Sequence, residues 1–354
     1  MKNVDYIIVG LGIAGLAFAE TLRSNNKSFV LFEDANKGAT TASGGVLNPT
    51  VLKRFTAAWN VEQFLTYAIP FYQRLEAVLS DKVIEPIAIH RILKSVEEQN
   101  NWIVACDKDQ LKHYLKSDLV SNDNKSISAP YKLGSVNKAY QIRPATLVQD
   151  YRIFLASNNC IIADYFDYSL LEIQNDNVVY KDISANHIVF SEGAGVVNNP
   201  LFPLAISPEL PKVFVPNKGE YIIVNAPLLK CTSVLKGPVM VIPLGNDLYK
   251  VGASYGRDEL SMDITEDARF DLSDKLKTMI TCDFEVVDQV AGIRPTVKDR
   301  KPLIGVLPAS HNVAFLNGLG TRGLTMAPLL AKQLFDFIEN DTEIPSELNL
   351  ARFL

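Results

Sequence analysis

The chain has 354 residues, of which 47% are hydrophobic and 21% charged, and a formal net charge of −5 at pH 7. This composition fits a soluble globular enzyme of one large or two modest domains, and with no run of Lys and Arg to neutralise phosphates, nucleic acid is not expected as a direct partner. Cys106, Cys160, Cys231 and Cys282 are scattered without a CxxC spacing, and only His90, His113, His187 and His311 could assist them, so neither a metal site nor a disulfide framework is predicted and a reducing cytoplasm is expected.

In chain order, Asp5–Gly10 is a β-branched apolar run, Ile13–Asn26 has apolar residues at helical spacing, and Ser28–Glu33 is a second apolar run. The apolar stretch from Tyr6 to Ala19 is too short for a membrane span, which takes ~20 residues, and no small-residue cleavage site follows it, so it is read as core. Between the first strand and helix stand Gly10, Gly12 and Gly15 in GxGxxG spacing, with Ile13 and Ala14 inside the motif. The first glycine permits a tight turn, the second lets a pyrophosphate approach the backbone, and the third lets helix and strand pack closely. The helix amino end then offers free N–H groups and partial positive charge to the phosphates. Glu33 closes the second strand, where its carboxylate can accept from adenosine ribose hydroxyls and disfavours a 2′-phosphate. The alternative reading is that these glycines serve packing alone.

A Gly-, Thr- and Pro-rich stretch over 38–55 precedes a helical pattern over 59–79. Residues 88–96 read as a strand, and Ser95 with Glu98 forms a capping box that opens a helix containing Trp102. Residues 121–128 are a polar loop, and 131–142 resemble a hairpin. Pro144 lies in the first turn of a helix over 143–158. Several strands follow, the last of them, from His187, ending at Gly193. From Lys212 to Ile293 strand patterns dominate, with a helix over 272–280. Tyr255 ends one of these strands, where its hydroxyl could meet a substrate or its ring could simply pack.

The chain closes with an apolar strand, a second glycine cluster (Gly318, Gly320, Gly323, with Thr321 and Arg322 among them) and an amphipathic helix from Leu324. One Rossmann motif does not separate NAD from FAD. A second strand–glycine–helix turn can aim a helix amino end at the N1 and C2 carbonyl of a flavin, where negative charge gathers on reduction, so the two clusters together predict one long cofactor held at both ends.

The motifs "IIVGLGIAG…LFE", "ASGGVLNP", "AGIRPTVKDRKPLIG" and "NGLGTRGLTMAP" together resemble the D-amino-acid oxidase-like FAD-dependent oxidoreductases, a group that includes glycine and sarcosine oxidases and the FAD domain of the enzyme that modifies the tRNA wobble uridine. The resemblance runs from Val4 to the final helix and is not usable between Ala88 and Tyr140. It implies that Ser43, Gly44, Gly45, Val46 and Leu47 lie along the flavin, that Arg294 approaches a substrate carboxylate, and that Arg54, rather than its neighbour Lys53, adds a basic group there. An interdomain ion pair is the plainer role for Arg294, and a solvated helix face for Arg54. The segment "FSEGAG" departs from the family's usual Ala-Thr-Gly or Ala-Ala-Gly, which touches the cofactor contact near Gly193. Where covalent members carry a cysteine, Thr296, Val297 and Lys298 stand, so FAD is expected to be noncovalent.

The expected fold is therefore α/β. A discontinuous Rossmann-type FAD-binding domain is expected from 1–80, 140–208 and 292–354, with an inserted mixed-sheet substrate domain from 81–139 and 209–291. By the same resemblance, the expected activity is oxidation of a small amine or amino acid by hydride transfer to flavin N5, with the imine hydrolysing in water and oxygen or another acceptor taking the electrons. The alternatives are oxidation of a 2-hydroxy acid or glycerol phosphate, tRNA wobble-uridine modification, and flavin binding without turnover.

Overall fold

A computed structural model describes residues 1–34, 38–202, 213–256 and 260–354. Its larger sheet is eight-stranded. The strand Lys2–Val9 pairs in parallel with Phe29–Glu33 on one side and Ile183–Phe190 on the other. Ile161–Ala163 extends the sheet in parallel beyond Phe29–Glu33, and Ser310–Asn317 runs parallel to the end of Ile183–Phe190. A strand covered on both faces has no polar side, which is why "YIIV" and "IVF" read as unbroken apolar runs. One face packs Tyr6, Ile8, Leu31 and Val189 under the helices Ile13–Ser24, Val61–Leu79, Pro144–Ser157 and Gly323–Asn340. The other face buries Ile7, Val30, Phe32, Phe190 and Phe315.

The second sheet has seven strands in the order Glu285–Arg294, Asn217–Asn225, Leu248–Gly252, Met240–Gly245, Val234–Lys236, Ile89–Ile92, Leu133–Val136. It is mixed, because Val234–Lys236 runs parallel to Ile89–Ile92 while the other ladders are antiparallel. One face buries Ile222, Val224, Val241 and Val251 against Leu272 and Leu276 of the helix Glu266–Lys277. That helix starts before residue 272 because the Thr265 hydroxyl accepts from Ala268 N at 3.3 Å and caps it, with Glu266 and Asp267 in the first turn.

The helix Val96–Cys106 begins at Ser95, whose hydroxyl accepts from Glu98 N at 3.1 Å. The other half of the expected box differs: the Glu98 carboxylate accepts from Lys94 N at 2.6 Å and from Arg91 at 2.5 Å instead of from the Ser95 N–H. Trp102 of this helix lies flat over the sheet, and a Cβ on Gly134 would sit 2.5 Å from its ring.

The hairpin expected over 131–142 does not form. Leu133–Val136 pairs with Ile89–Ile92, whereas Tyr140–Ile142 pairs with Val46–Leu47 and Ile84–Pro86 in a separate three-stranded sheet. Both strands have better partners remote in sequence than each other, and only their local alternation was visible in the chain. The expected domain boundary at 208/209 lies outside the described residues.

Candidate cofactor and substrate site

Gly10 turns at φ +101°, and a Cβ there would meet the Ser191 carbonyl oxygen at 2.8 Å. A Cβ on Gly15 would lie 1.9 Å from the Gly10 carbonyl oxygen, so helix Ile13–Ser24 can approach the sheet this closely only through a glycine. Gly12 caps the helix without a side chain, no acid stands in the first turn, and the Thr40 hydroxyl accepts from Ile13 N at 3.0 Å. The Ser191 hydroxyl, packed beside Gly15, is buried without a partner among the described residues. A turn with exposed N–H dipoles and an orphaned hydroxyl suits a pyrophosphate.

Glu33 is buried, and both its oxygens accept from Arg152 of helix Pro144–Ser157, one of them from Nε at 2.9 Å. A carboxylate retains further lone pairs after a bidentate pair, so the arginine orients Glu33 without consuming it. Beyond the neighbouring strand end, Glu192 accepts from the Tyr168 hydroxyl and from Asn199 Nδ2 at 2.8 Å. Burial raises the Glu192 pKa against the opposing effect of these two bonds, and Asp34 pushes it further up.

The second glycine cluster meets the first. Gly323 opens the helix Gly323–Asn340 and packs against Ile13, with an added Cβ 3.1 Å from Ile13 Cγ2, so the two helix amino ends lie side by side. Neither helix has a side-chain cap or an acid in its first turn. Gly318 and Gly320 hold φ values of +74° and +53°. The Gly318 N–H donates to Asn317 Oδ1 at 2.7 Å, while Asn317 Nδ2 donates to the Gly193 carbonyl at 2.9 Å and ties the cluster to the strand end at Gly193. Thr321 is exposed. Arg322, nearly buried, donates to the carbonyls of Asn48 at 2.6 Å and Thr50 at 2.9 Å, and burial lowers its pKa to about 10. Leu324 offers its carbonyl to the buried Tyr72 hydroxyl at 2.6 Å.

Arg322 thus fastens the segment after Ser43–Leu47 to the last helix, and the mixed sheet fastens its beginning. Lys250, 8% exposed, donates to the Ser43 carbonyl at 2.8 Å and lies 5.2 Å from the centre of the Tyr221 ring. Burial lowers the Lys250 pKa to about 8. A Cβ on Gly44 would strike Ile242 at 2.5 Å, and one on Gly45, at φ +73°, would strike the Ile142 carbonyl oxygen at 2.0 Å. Val46–Leu47 continues as a short strand beside Tyr140–Ile142.

Arg294 ends the strand Glu285–Arg294 on the face of the mixed sheet that carries Tyr221 and Gly219. Its guanidinium donates to Asn217 Oδ1 at 2.8 Å, to the Lys218 carbonyl at 3.2 Å and to the Ser254 carbonyl at 3.3 Å. A Cβ on Gly219 would lie 1.9 Å from Arg294 Nη2, so the guanidinium rests on bare backbone. Among the described residues no carboxylate pairs with it, and burial lowers its pKa. Tyr255, 58% exposed, places its ring centre 5.9 Å from the guanidinium carbon. Arg54 is exposed and shares no hydrogen bond or ion pair with Arg294 or Tyr255. Asp299 accepts from Lys301 N at 2.9 Å and pairs with Arg352 at 3.1 Å, bracing the turn that follows Arg294.

Thr40, Arg152, Asn317, Asn217, Gly219, Tyr221 and Lys250 join the site without having been singled out in the sequence. Lys250 had a signal: it stands alone within the apolar run "LYKVG", where an alternating strand turns it to the same face as Gly252.

The pattern of the family described as "FAD dependent oxidoreductase" matches residues 5–337. Glycine oxidase of Bacillus subtilis (strain 168) is 24% identical, over 96% of this chain and 94% of its own. The tRNA 5-methylaminomethyl-2-thiouridine biosynthesis bifunctional protein MnmC of Caulobacter sp. (strain K31) is 24% identical over 92% of this chain, which spans only 53% of that protein. The crystal structure of glycine oxidase from Geobacillus kaustophilus superposes with a TM-score of 0.81 at 17% identity, covering 100% of this chain and 98% of the other, a likeness of fold.

Proposed function

The chain belongs to the D-amino-acid-oxidase-type family of FAD-dependent oxidoreductases, and from that premise we propose that it oxidises a small amine or amino acid whose carboxylate rests on Arg294. The observation that carries this reading is a half-buried guanidinium with three neutral acceptors and no acidic partner among the described residues. Such a cation is stabilised by an incoming anion, and its planar fork suits a carboxylate. Tyr255 flanks the same position, and Gly219 leaves room over the strand.

FAD, when bound, supplies the acceptor for a hydride from the carbon next to the amine. Gly10, Gly12, Ile13, Ala14 and Gly15 would hold its pyrophosphate, and Glu33, oriented by Arg152, its ribose. The Ser43–Leu47 segment, pinned by Lys250 at one end and Arg322 beyond the other, would lie along the flavin, with Gly193 and the Gly318–Leu324 cluster completing the cradle. Arg294 would fix the substrate's orientation, so that the reacting carbon is presented in one pose.

The segregation of strands between the two largest sheets supports the division into 1–80, 140–208 and 292–354 for the cofactor and 81–139 and 209–291 for the substrate, with the small sheet of Val46–Leu47, Tyr140–Ile142 and Ile84–Pro86 bridging them. Arg54, which is exposed, is proposed as a guide for anionic substrates. No helix among the described residues is long and apolar enough to cross a membrane, and four free cysteines support a reducing cytoplasmic setting. Oxygen or another acceptor would take the electrons.

The test is anaerobic mixing of the yellow protein with glycine, sarcosine, D- and L-amino acids, lactate and glycerol phosphate. Loss of flavin colour with amines alone is expected, and bleaching only by the hydroxy compounds would overturn the reading. The similarity to the bifunctional tRNA enzyme supports a second reading, in which the amine is attached to a wobble uridine. It predicts salt-dependent tRNA retention on a filter.

A further inference from the structure

Directly opposed residues in a ladder point to the same face of a sheet. The mixed sheet registers Tyr221 with Gly252, Gly252 with Met240, Met240 with Lys236, and Lys236 with Arg91. This row therefore crosses the face on which Gly44 packs against Tyr221 and Ile242. Tyr221, Met240 and Lys236 are each partly open, whereas Ile242, Val234 and Ile89 in the next row toward the helix Val96–Cys106 are buried. The row thus places partly open side chains in line across the strands, on the same face as Arg294 and Gly219.

At its far end Lys236 donates to the Gly237 carbonyl at 2.9 Å and the Pro238 carbonyl at 3.5 Å, and no carboxylate pairs with it among the described residues. Arg91, Lys94 and Lys53 are its cationic neighbours, with Lys275 farther along, and burial followed by these charges lowers its pKa to about 8. The carboxylates nearby are engaged: Glu98 is held by Arg91, and Asp271 by Lys275. Lys53 follows Leu52, which packs with Ile242, Val234 and Ile89 on this same face. With those two carboxylates engaged, Lys236, Lys53 and Lys94 have no ion-pair partner among the described residues; like charges so placed cost stability, and an anionic ligand relieves it.

We propose that Lys236, with Lys53, forms a second anion subsite, so that the substrate is an elongated molecule bearing a carboxylate or phosphate distant from the carboxylate on Arg294. The subsite lies three strands from Gly219, over which the Arg294 guanidinium rests, ~14 Å across the sheet at ~4.8 Å per strand. It rests on the reading of Arg294 as a carboxylate site, and small substrates such as glycine would use only that end of the row.

The test is titration of the yellow holoenzyme with suberate and with octanoate, following the perturbation of the oxidised flavin spectrum. The monoacid is the more apolar of the two, so any preference for the diacid must come from charge. Suberate is expected to bind at least tenfold more tightly than octanoate. Lys236→Gln should erase that difference while leaving octanoate unchanged, and Lys53→Ala, at an exposed position that folding does not need, should reduce it. Equal affinity in the wild type, or a preference that survives Lys236→Gln, overturns the subsite even if octanoate binds and amines bleach the flavin. If octanoate also fails to bind, the Arg294 reading falls with it.

Discussion

At the scale of single residues, the assignments differ in how local their physics is. Gly10 and Gly15 were legible from their spacing and Gly45 through the family resemblance, and the structure requires glycine at each, by a φ above +70° or a contact under 3 Å with backbone. Arg152, 119 positions from Glu33, left no trace in the spacing, since an ion pair formed by two remote elements has no local period. Arg294→Gln should leave flavin content intact and lower kcat/KM for a carboxylated amine by roughly a hundredfold, about 3 kcal/mol for a lost charge-assisted fork. Steady-state kinetics on protein of matched 450 nm absorbance checks this, and unchanged kcat/KM would remove Arg294 from substrate binding. Lys250 yields a pH prediction. Its folded pKa of about 8 lies below the ordinary value of 10.5, so the unfolded chain binds more protons between those limits and stability rises with pH across that window. In Lys250→Met this rise should flatten, as denaturant midpoints at pH 7.5 and pH 9.5 would reveal.

At the scale of elements, helices were the easier reading. Val61–Leu79 and Gly323–Asn340 carry their apolar stripe within one segment, and Ser95 announces the start of its helix. Strand partners were harder, as the misread 131–142 segment shows: alternation identifies a strand but not the strand it joins. Two substitutions separate local support from cofactor support. Ser95→Ala should cost roughly 1 kcal/mol by loss of a helix cap and lower the melting temperature without changing colour. Gly15→Ala forces a methyl into the Gly10 carbonyl, parts the first helix from its strand, and should yield protein that retains little FAD. The ratio of absorbance at 450 nm to that at 280 nm distinguishes the two, and a fully yellow Gly15→Ala protein would argue against the pyrophosphate site.

For the molecule as a whole, the proposed cofactor cradle draws on four remote stretches: the first turn, the Ser43–Thr50 segment, the strand end at Gly193, and the Asn317–Leu324 turn. A ligand bound at this junction and absent from the unfolded chain stabilises by mass action, about 2.7 kcal/mol at a hundredfold excess over its Kd. Apoprotein should therefore gain several degrees in melting temperature with FAD and none with NAD, read by differential scanning calorimetry. A shift with NAD alone would contradict the two-ended site. The composition foretold one large or two modest globular domains, while the meeting of remote parts around a cofactor was suggested only by paired glycine motifs of known spacing.

The contact between Gly323 and Ile13 also bears on how the protein is made. An emerging polypeptide lacks the partner of its first glycine turn until residue 323 has left the ribosome, so a cofactor held by both turns can be captured only after that point. Nascent chains stalled before residue 323 should accumulate colourless.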